Sequence, residues 1–198
     1  MTITPLYANL ILQGIQKYNM RAKHNPDCRL SGSVAINGGI ELRSLRDDEE
    51  VSQCARMMAV SEPWITLGRT YDDSLTTISD PAKEVYVAIR DEIVVGFIIL
   101  NMSGAFVGYI QSICVAPEWR GKGIGTLLLR FAEERILSET PNVFMCVSSF
   151  NKGAQRLYEK LGYESVGELK DYIVAGHSEI LLRKTIAPLA DFKKTLTR

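Results

Sequence analysis

The sequence ICVAPEWRGKGIGTLLLRFAEERI, residues 113–136, joins a short apolar run to an amphipathic helix pattern through a turn that contains three glycines. Where a strand gives way to a helix, several backbone N–H groups lack partners and the helix dipole is positive. Gly123 and Gly125 carry no side chain that would keep a ligand away, and Arg120 and Lys122 add positive charge. The turn therefore predicts a site for an anion such as a pyrophosphate, with a tight turn of incidental glycines as the alternative interpretation.

The spacing of these glycines excludes two common phosphate-binding motifs. A P-loop needs GxxxxGK[ST], and a dinucleotide-binding fold needs GxGxxG after the first strand of a parallel βαβ unit. Neither spacing is present here, and the turn follows three β-rich runs that predict an antiparallel meander. These runs are VYVAIR at 85–90, EIVVGFIILNM from Glu92 and FVGYIQSICVA from Phe106.

Strand and helix patterns alternate on either side of this meander. IELRSL at 40–45 predicts a strand, and Asp47 with Glu50 has capping-box spacing before a helix. The following passage, SEPWITLGRTYDDSLTTISDP, predicts a loop with a small helix. Beyond the glycine turn, NVFMCVSSF predicts a strand and KGAQRLYEKLG a helix that ends near Gly162. Two last strands are predicted, at Tyr172–Val174 and Ser178–Arg183.

Length and composition fit one globular domain with short extensions. The 198 residues are 46% hydrophobic and 23% charged, which is enough apolar material for a core. Residues 1–38 end in the turn-rich passage NPDCRLSGSVAINGG, which indicates an N-terminal extension. We therefore expect the domain at 39–186 and a C-terminal tail at 187–198.

Charge and cysteine usage narrow the classes of partner. Lys+Arg and Asp+Glu both total 23, so no net charge attracts nucleic acid, and we expect no nucleic-acid partner. Four cysteines without a CxxC pair predict free thiols in a reducing cytosol and no metal site; they are Cys28, Cys54, Cys114 and Cys146. Because no secretory signal or long apolar stretch is visible, we expect a cytoplasmic protein with no membrane partner.

Two motifs, in the right order, resemble the GCN5-related N-acetyltransferase (GNAT) superfamily. Residues 113–136 are similar to its acetyl-CoA motif, [QR]xxGx[GA], with Arg120, Gly123 and Gly125 at the matching positions. The later stretch NKGAQRLYEKLGYESVG is similar to the family segment NxxAxxLYxxxGF. Its matching residues are Asn151, Ala154, Leu157, Tyr158, Gly162 and Tyr163. The resemblance is specific over 110–167 and extends by element order over 40–186.

The resemblance implies a three-layer α+β fold. Its mixed, mostly antiparallel sheet has six to seven strands with helices on both faces, and strands four and five splay apart to admit the pantetheine arm of acetyl-CoA. Backbone donors of Ile113, Cys114 and Val115 would face the thioester oxygen and stabilise the oxyanion, whether or not these side chains also pack in the core. The implied pyrophosphate site consists of Arg120, Gly121, Lys122, Gly123, Ile124, Gly125 and Thr126.

Two residues of the second motif carry implied roles at the cofactor. Tyr158 stands where the family places the phenol that protonates the departing coenzyme A thiolate, although an aromatic side chain on a core-facing helix is the structural alternative. Asn151 is a natural N-cap for the same helix, and this role stands beside a cofactor contact.

The amine must lose a proton before it attacks, because a lysine-like ammonium has a pKa near 10.4. Relatives often use a glutamate on one of the splayed strands, but the motifs align Tyr109 and Cys146 with those positions. The alternatives are Glu62, the leading candidate, which precedes Pro63; His177 near the last turn; and ordered water. The structural interpretations are a solvated residue at a helix end for Glu62 and a turn histidine for His177.

The function implied by the resemblance is transfer of an acetyl group from acetyl-CoA to a primary amine by direct attack in a ternary complex. The acceptor would be a small molecule or a peptide or protein amine, and a homodimer is compatible with the sequence. A covalent route through Cys114 or Cys146 stays open. The alternative from another class is a non-catalytic acyl-CoA-binding sensor or interaction module.

Overall fold

An eight-stranded sheet runs through the computed structural model, which describes residues 34–36 and 39–196. Its spatial order is β1-β2-β3-β4-β5-β6-β8-β7, and every neighbouring pair is antiparallel except β5 and β6, which are parallel. The strands are β1 (Val34–Ile36), β2 (Ile40–Ser44), β3 (Glu84–Arg90), β4 (Ile93–Asn101), β5 (Tyr109–Val115), β6 (Asn142–Ser148), β7 (Glu164–Lys170) and β8 (Ser178–Thr185). The predicted mixed, mostly antiparallel sheet is confirmed.

The expected sheet of six to seven strands gains a strand at its edge. β1 comes from the segment that we interpreted as the N-terminal extension, and it pairs with β2. The expected strands four and five are therefore β5 and β6. The rest of that segment, residues 1–33 and 37–38, lies outside the described residues.

Helices cover both faces of the sheet, as expected. They are α1 (Asp48–Ala59), α2 (Tyr71–Ile78), α3 (Ile124–Leu137), α4 (Lys152–Lys160) and α5 (Leu189–Leu196), with a 3-10 turn at Pro117–Trp119. Asp47 caps α1 by accepting a hydrogen bond from the Glu50 backbone N–H at 3.0 Å. In the segment expected to be a C-terminal tail, α5 contains the buried side chain of Phe192.

The two cores lie on opposite faces of the central strand β4. Ile98 belongs to the cluster beneath α3, whereas its neighbours Phe97 and Ile99 belong to the cluster beneath α1. Successive side chains of a strand point to opposite faces, so a strand buried on both faces is apolar along its whole length. The continuous run IVVGFIIL in β4 therefore places this strand at the centre of the domain.

β5 and β6 separate after only two residue pairs. Tyr109 pairs with Phe144 and Ile110 with Met145, after which the two strands share no ladder. β5 stays paired to β4 as far as Val115, and β6 stays paired to β8 as far as Ser148. The gap between them is the predicted splay, and it leaves the facing backbone edges open.

One strand prediction is wrong. The last hairpin begins with β7 at Glu164–Lys170, and Tyr172–Val174 lie in its connecting turn. The Asp171 carboxylate closes this turn by accepting a hydrogen bond from the Gly176 N–H at 2.7 Å. β7 is an edge strand exposed along its whole length, so it lacks the apolar alternation that the sequence reading depended on. The apolar residues 172–174 of the turn resemble a strand more closely than the sequence of β7 does.

No helix among residues 39–196 combines the length and the apolar character needed to cross a bilayer.

Candidate active site

The gap between β5 and β6 opens into a cleft that crosses the sheet. The strands contribute residues 109–113 and 145–148 to its lining. Trp64, from the core cluster beneath α1, and Tyr158, from the cluster beneath α3, line the same cleft. Residues from both faces of the sheet therefore meet in one space.

Tyr158 enters the cleft from α4. Asn151 caps this helix by accepting a hydrogen bond from the Ala154 N–H at 3.2 Å, and it lines the cleft as well. The Tyr158 side chain is 6% exposed, and burial raises the pKa of its phenol to about 12. The phenol is therefore protonated at neutral pH and available as a donor. The position of Asn151 is compatible with both roles considered for it, the N-cap of α4 and a contact to the cofactor.

The glycine turn leads directly into α3. Gly121 and Gly123 have φ angles of 72° and 85°, a left-handed conformation that glycine adopts without a steric penalty. Gly123 is the N-cap of α3 and supplies no side-chain hydrogen bond, so the first backbone N–H groups of the helix lack a capping side chain. Open space surrounds the position of a Cβ at either glycine, since no other atom lies within 4 Å. This surface offers main-chain donors to an anion.

The basic residues around the turn have partners of their own. Arg120 donates from Nε to the Val115 carbonyl at 3.0 Å and from Nη2 to Ser61 Oγ at 3.2 Å. The Lys122 ammonium lies 4.6 Å from the centre of the Trp119 ring. Arg120 therefore links the end of β5 to the loop after α1, while Lys122 keeps its charge beside the turn.

The turn, β5 and α4 converge on one point. A Cβ at Gly125 would lie 3.8 Å from Leu157 and 3.9 Å from Val115, so the start of α3 lies between the end of β5 and α4. Ile113 lines the cleft just before this point, whereas Ile124 and Thr126 follow the turn in the first turn of α3. The structure thus brings together the splayed strand, the glycine turn and the helix of Tyr158.

Cys114 points away from the cleft. Its thiol is buried and donates to the Met57 carbonyl oxygen at 3.9 Å. Burial raises the pKa of the Cys114 thiol to about 12. A thiol this weakly acidic and this enclosed is a poor nucleophile.

Cys146 lies in the cleft, next to Tyr109. Burial raises the pKa of the Cys146 thiol, and its hydrogen bond with Tyr109 opposes that rise. Burial likewise raises the pKa of the Tyr109 phenol. Both groups are therefore protonated at neutral pH. Cys54, Cys114 and Cys146 are free of disulfides, and Cys28 lies outside the described residues.

The structure does not bring the two suggested proton acceptors into the cleft. Glu62 is exposed, and its carboxylate accepts hydrogen bonds from the Thr66 N–H at 3.2 Å and from Thr66 Oγ1 at 3.0 Å. His177 packs against Phe150 in an edge-to-face contact with ring centres 4.9 Å apart. Neither side chain is among the residues that line the cleft, although Pro63 and Trp64 are.

A carboxylate that the sequence did not point to lines the cleft. Glu179 on β8 is 5% exposed and lies directly opposite Ser148 on β6, whose Oγ donates to the carboxylate at 2.6 Å. Burial raises the pKa of Glu179, and the hydrogen bond from Ser148 opposes that rise. An acidic residue in the predicted strand 178–183 was the available signal, but the pairing of β8 with β6 cannot be read from local sequence.

Metal ligation has no visible support in this part of the molecule. Among residues 39–196, no group of three or more His, Cys, Asp and Glu side chains is arranged to hold an ion.

Comparisons with known proteins agree with this geometry. The sequence model described as the acetyltransferase (GNAT) family matches residues 43–163. An N-alpha-acetyltransferase of Saccharolobus solfataricus is 31% identical over 114 residues, which are 51% of this chain and 68% of that protein.

Solved structures share the fold at low sequence identity. An aminoglycoside 6'-N-acetyltransferase complexed with coenzyme A superposes with a TM-score of 0.63 and 18% identity, over 74% of this chain and 97% of that one. The ribosomal-protein-S18-alanine N-acetyltransferase from Escherichia coli gives a TM-score of 0.61 and 16% identity, over 75% and 95% of the two chains.

Proposed function

Because this chain belongs to the acetyltransferase (GNAT) family and is an acyltransferase, we propose that it transfers an acetyl group from acetyl-CoA to a primary amine of a small molecule or peptide. The amine attacks the thioester directly, in a complex that contains both substrates. The observation that carries this proposal is the cleft between β5 and β6, which joins the Tyr158 side of the sheet to the Trp64 side. Donor and acceptor can thus enter from opposite faces and meet between the strands.

Acetyl-CoA enters on the α3 side in this proposal. Its pyrophosphate lies on residues 121–126, where left-handed glycines leave main-chain donors open. Its pantetheine arm extends along the free edge of β5 beside Ile113, Cys114 and Val115. Successive backbone N–H groups of a strand point to opposite sides, and the Ala116 N–H donates to the Val95 carbonyl of β4, so the Cys114 N–H faces β4 as well. The N–H groups of Ile113 and Val115 face the free edge and stabilise the oxyanion of the tetrahedral intermediate. Arg120 holds this edge in place through the Val115 carbonyl, and Asn151 fixes the start of α4 alongside.

Tyr158 donates a proton to the departing thiolate. Its pKa of about 12 makes it a weak acid toward a thiolate whose ordinary pKa is near 8.5. A thiolate that forms inside the same buried cleft is also destabilised by desolvation, so its pKa rises with that of the phenol. The donor and the leaving group therefore stay close enough in pKa for the phenol to assist departure.

Direct attack is favoured over an acetyl-cysteine intermediate. The Cys114 thiol points toward Met57 with its pKa raised to about 12, and the Cys146 thiol is protonated and bonded to Tyr109. Neither is in the thiolate form that a nucleophilic cysteine needs.

The test is thiol release from acetyl-CoA in the presence of a panel of amines, with the products identified by mass spectrometry. The panel contains tetrapeptides that begin with Ala, Ser or Met, together with spermidine and kanamycin, which span peptide and small-molecule acceptors. We expect acetylation of at least one amine, intersecting initial-rate lines, and no acetylated protein when the amine is omitted. Acetyl-CoA binding without transfer to any amine would instead indicate the non-catalytic acyl-CoA-binding module.

A further inference from the structure

We propose that the carboxylate of Glu179, held by Ser148, accepts the proton that the acceptor ammonium loses before it attacks acetyl-CoA. This inference rests on the proposed acetyl transfer to an amine. It assigns the proton acceptor to β8, because the two splayed strands carry Tyr109 and Cys146 where relatives often carry a glutamate.

The strand register places Glu179 on the acceptor side of the sheet. Met145 and Val147 of β6 belong to the core beneath α3, so the intervening Cys146 and the following Ser148 face the opposite side. Glu179 is the register partner of Ser148 on β8, and cross-strand partners share a face. Its carboxylate therefore lies on the Trp64 side of the cleft, across from the side where the acetyl donor enters.

The surroundings of Glu179 leave its charge without a cation. Glu133 is equally buried, at 5% exposure, but its carboxylate is paired with the Lys184 ammonium at 2.7 Å. None of the ion pairs among the described residues involves Glu179, and its hydrogen bond comes from the neutral Ser148 hydroxyl. A buried carboxylate without a cation is costly to keep charged, and a bound ammonium would offset that cost.

The titratable groups that face Glu179 are weaker acids than its carboxylate, so Glu179 is the group of the cleft that titrates at acidic pH. Ser148 and Cys146 face it from β6, and Tyr109 faces it from β5. Burial raises the pKa of both the Cys146 thiol and the Tyr109 phenol. From β7 the register partner is the apolar Leu169. Tyr158 of α4 and Arg69 of the loop before α2 also line the cleft. Burial raises the pKa of Glu179 toward the range in which a carboxylate is an effective base near neutral pH.

The proton balance of the reaction is complete with these groups. Glu179 takes one proton from the ammonium and passes it to solvent. The free amine forms the C–N bond at the thioester carbon, and the C–S bond breaks as the intermediate collapses. The nitrogen gives up a second proton to solvent, while the thiolate takes the phenol proton of Tyr158, which is replaced from solvent. One proton is released for each acetyl group transferred.

The decisive variant is Glu179→Gln, which keeps the size of the side chain and an oxygen that can accept from Ser148. At neutral pH we expect kcat to fall by about 100-fold or more, with unchanged acetyl-CoA affinity and an unchanged or raised melting temperature. The acidic limb set by the pKa of Glu179 should be replaced by one set by the pKa of the amine. With a peptide acceptor, the residual rate should rise toward the α-amine pKa of about 8, because only amine that is already neutral can then react.

The control is Glu164→Gln, which removes an exposed carboxylate at the start of β7 and should leave the rate and the pH profile unchanged. An unchanged kcat in folded Glu179→Gln overturns the assignment. A raised KM with an unchanged kcat overturns it as well, because Glu179 would then only bind the ammonium.

Ser148→Ala separates the proton acceptor from a purely structural cross-strand contact. The Ser148 hydroxyl stabilises the charged carboxylate, so its removal should raise the pKa of Glu179 and move the acidic limb to higher pH. A folded Ser148→Ala protein with an unmoved acidic limb contradicts the proposal.

Carbon-13 NMR of the Glu179 carboxyl, assigned by its loss in Glu179→Gln, distinguishes failure of this inference from failure of the proposed function. With coenzyme A bound, a tetrapeptide that begins with Ala should lower the pKa of Glu179, and its N-acetylated form should not. This shift without transfer to any panel amine would defeat the proposed transfer and leave Glu179 as a site that only binds the ammonium. Normal transfer without the shift, and with normal Glu179→Gln activity, would defeat the Glu179 assignment alone.

Discussion

Replacing Gly123 with alanine should separate the stability of the glycine turn from its role in binding acetyl-CoA. Gly123 has a φ of 85°, and a Cβ there would meet no other atom within 4 Å. The cost to the free protein is therefore backbone strain alone, about 1–2 kcal/mol for an L-residue in the left-handed region. In a chain of this length, that cost lowers the melting temperature by roughly 2–8 °C. The methyl group, however, enters the space that we assign to the pyrophosphate.

We expect Gly123→Ala to weaken acetyl-CoA binding by about tenfold or more, or at least about 1.4 kcal/mol, measured by calorimetry on the folded protein. Gly162→Ala is the matched control, because Gly162 follows α4 with a φ of 87° and has equally open space around it. It should lose the same stability and keep its acetyl-CoA affinity. Equal affinities in the two folded variants would refute the pyrophosphate site at this turn.

The glycine turn and the helices around it could be predicted because their signals are local. The strand-to-helix position of Gly123, the Asn151 cap and the position of Tyr158 in α4 all follow from residues within one or two turns of each other. The splay of β5 from β6 depends on the whole sheet, so it could be predicted from the family resemblance but not from residue patterns.

The proton acceptor could not be predicted from local sequence, because its position depends on long-range strand pairing. Glu62 precedes Pro63 and Trp64, which do line the cleft, but the Glu62 carboxylate is exposed and bonded to Thr66. Glu179 reaches the cleft through its pairing with Ser148, 31 residues earlier in the chain. Strand β7 could not be predicted from local sequence for the same reason. An exposed edge strand needs no apolar face, and β7 is formed by its pairing with β8.

Substitutions at three further positions test the glycine turn and the chemistry of the cleft. Tyr158→Phe should lower kcat by roughly tenfold or more with unchanged acetyl-CoA affinity, because the ring still packs and only the proton donor is lost; an unchanged kcat where chemistry limits the rate would make Tyr158 a core residue. Gly125→Ala should raise the melting temperature and retain binding, since its Cβ meets only ordinary contacts, whereas the bulkier Gly125→Val should weaken binding; equal affinities would remove Gly125 from the site. The last test moves the carboxylate. Cys146 and Glu179 line the cleft, and the register puts both on the face of Ser148. Adding Cys146→Glu to the Glu179→Gln protein places a carboxylate where relatives often carry one, and it should restore at least tenfold of the lost kcat together with an acidic limb set by the pKa of a carboxylate. Cys146→Gln in the same background is the control and should restore neither. Rescue by Gln as readily as by Glu would mean that the cleft needs a polar side chain rather than a proton acceptor.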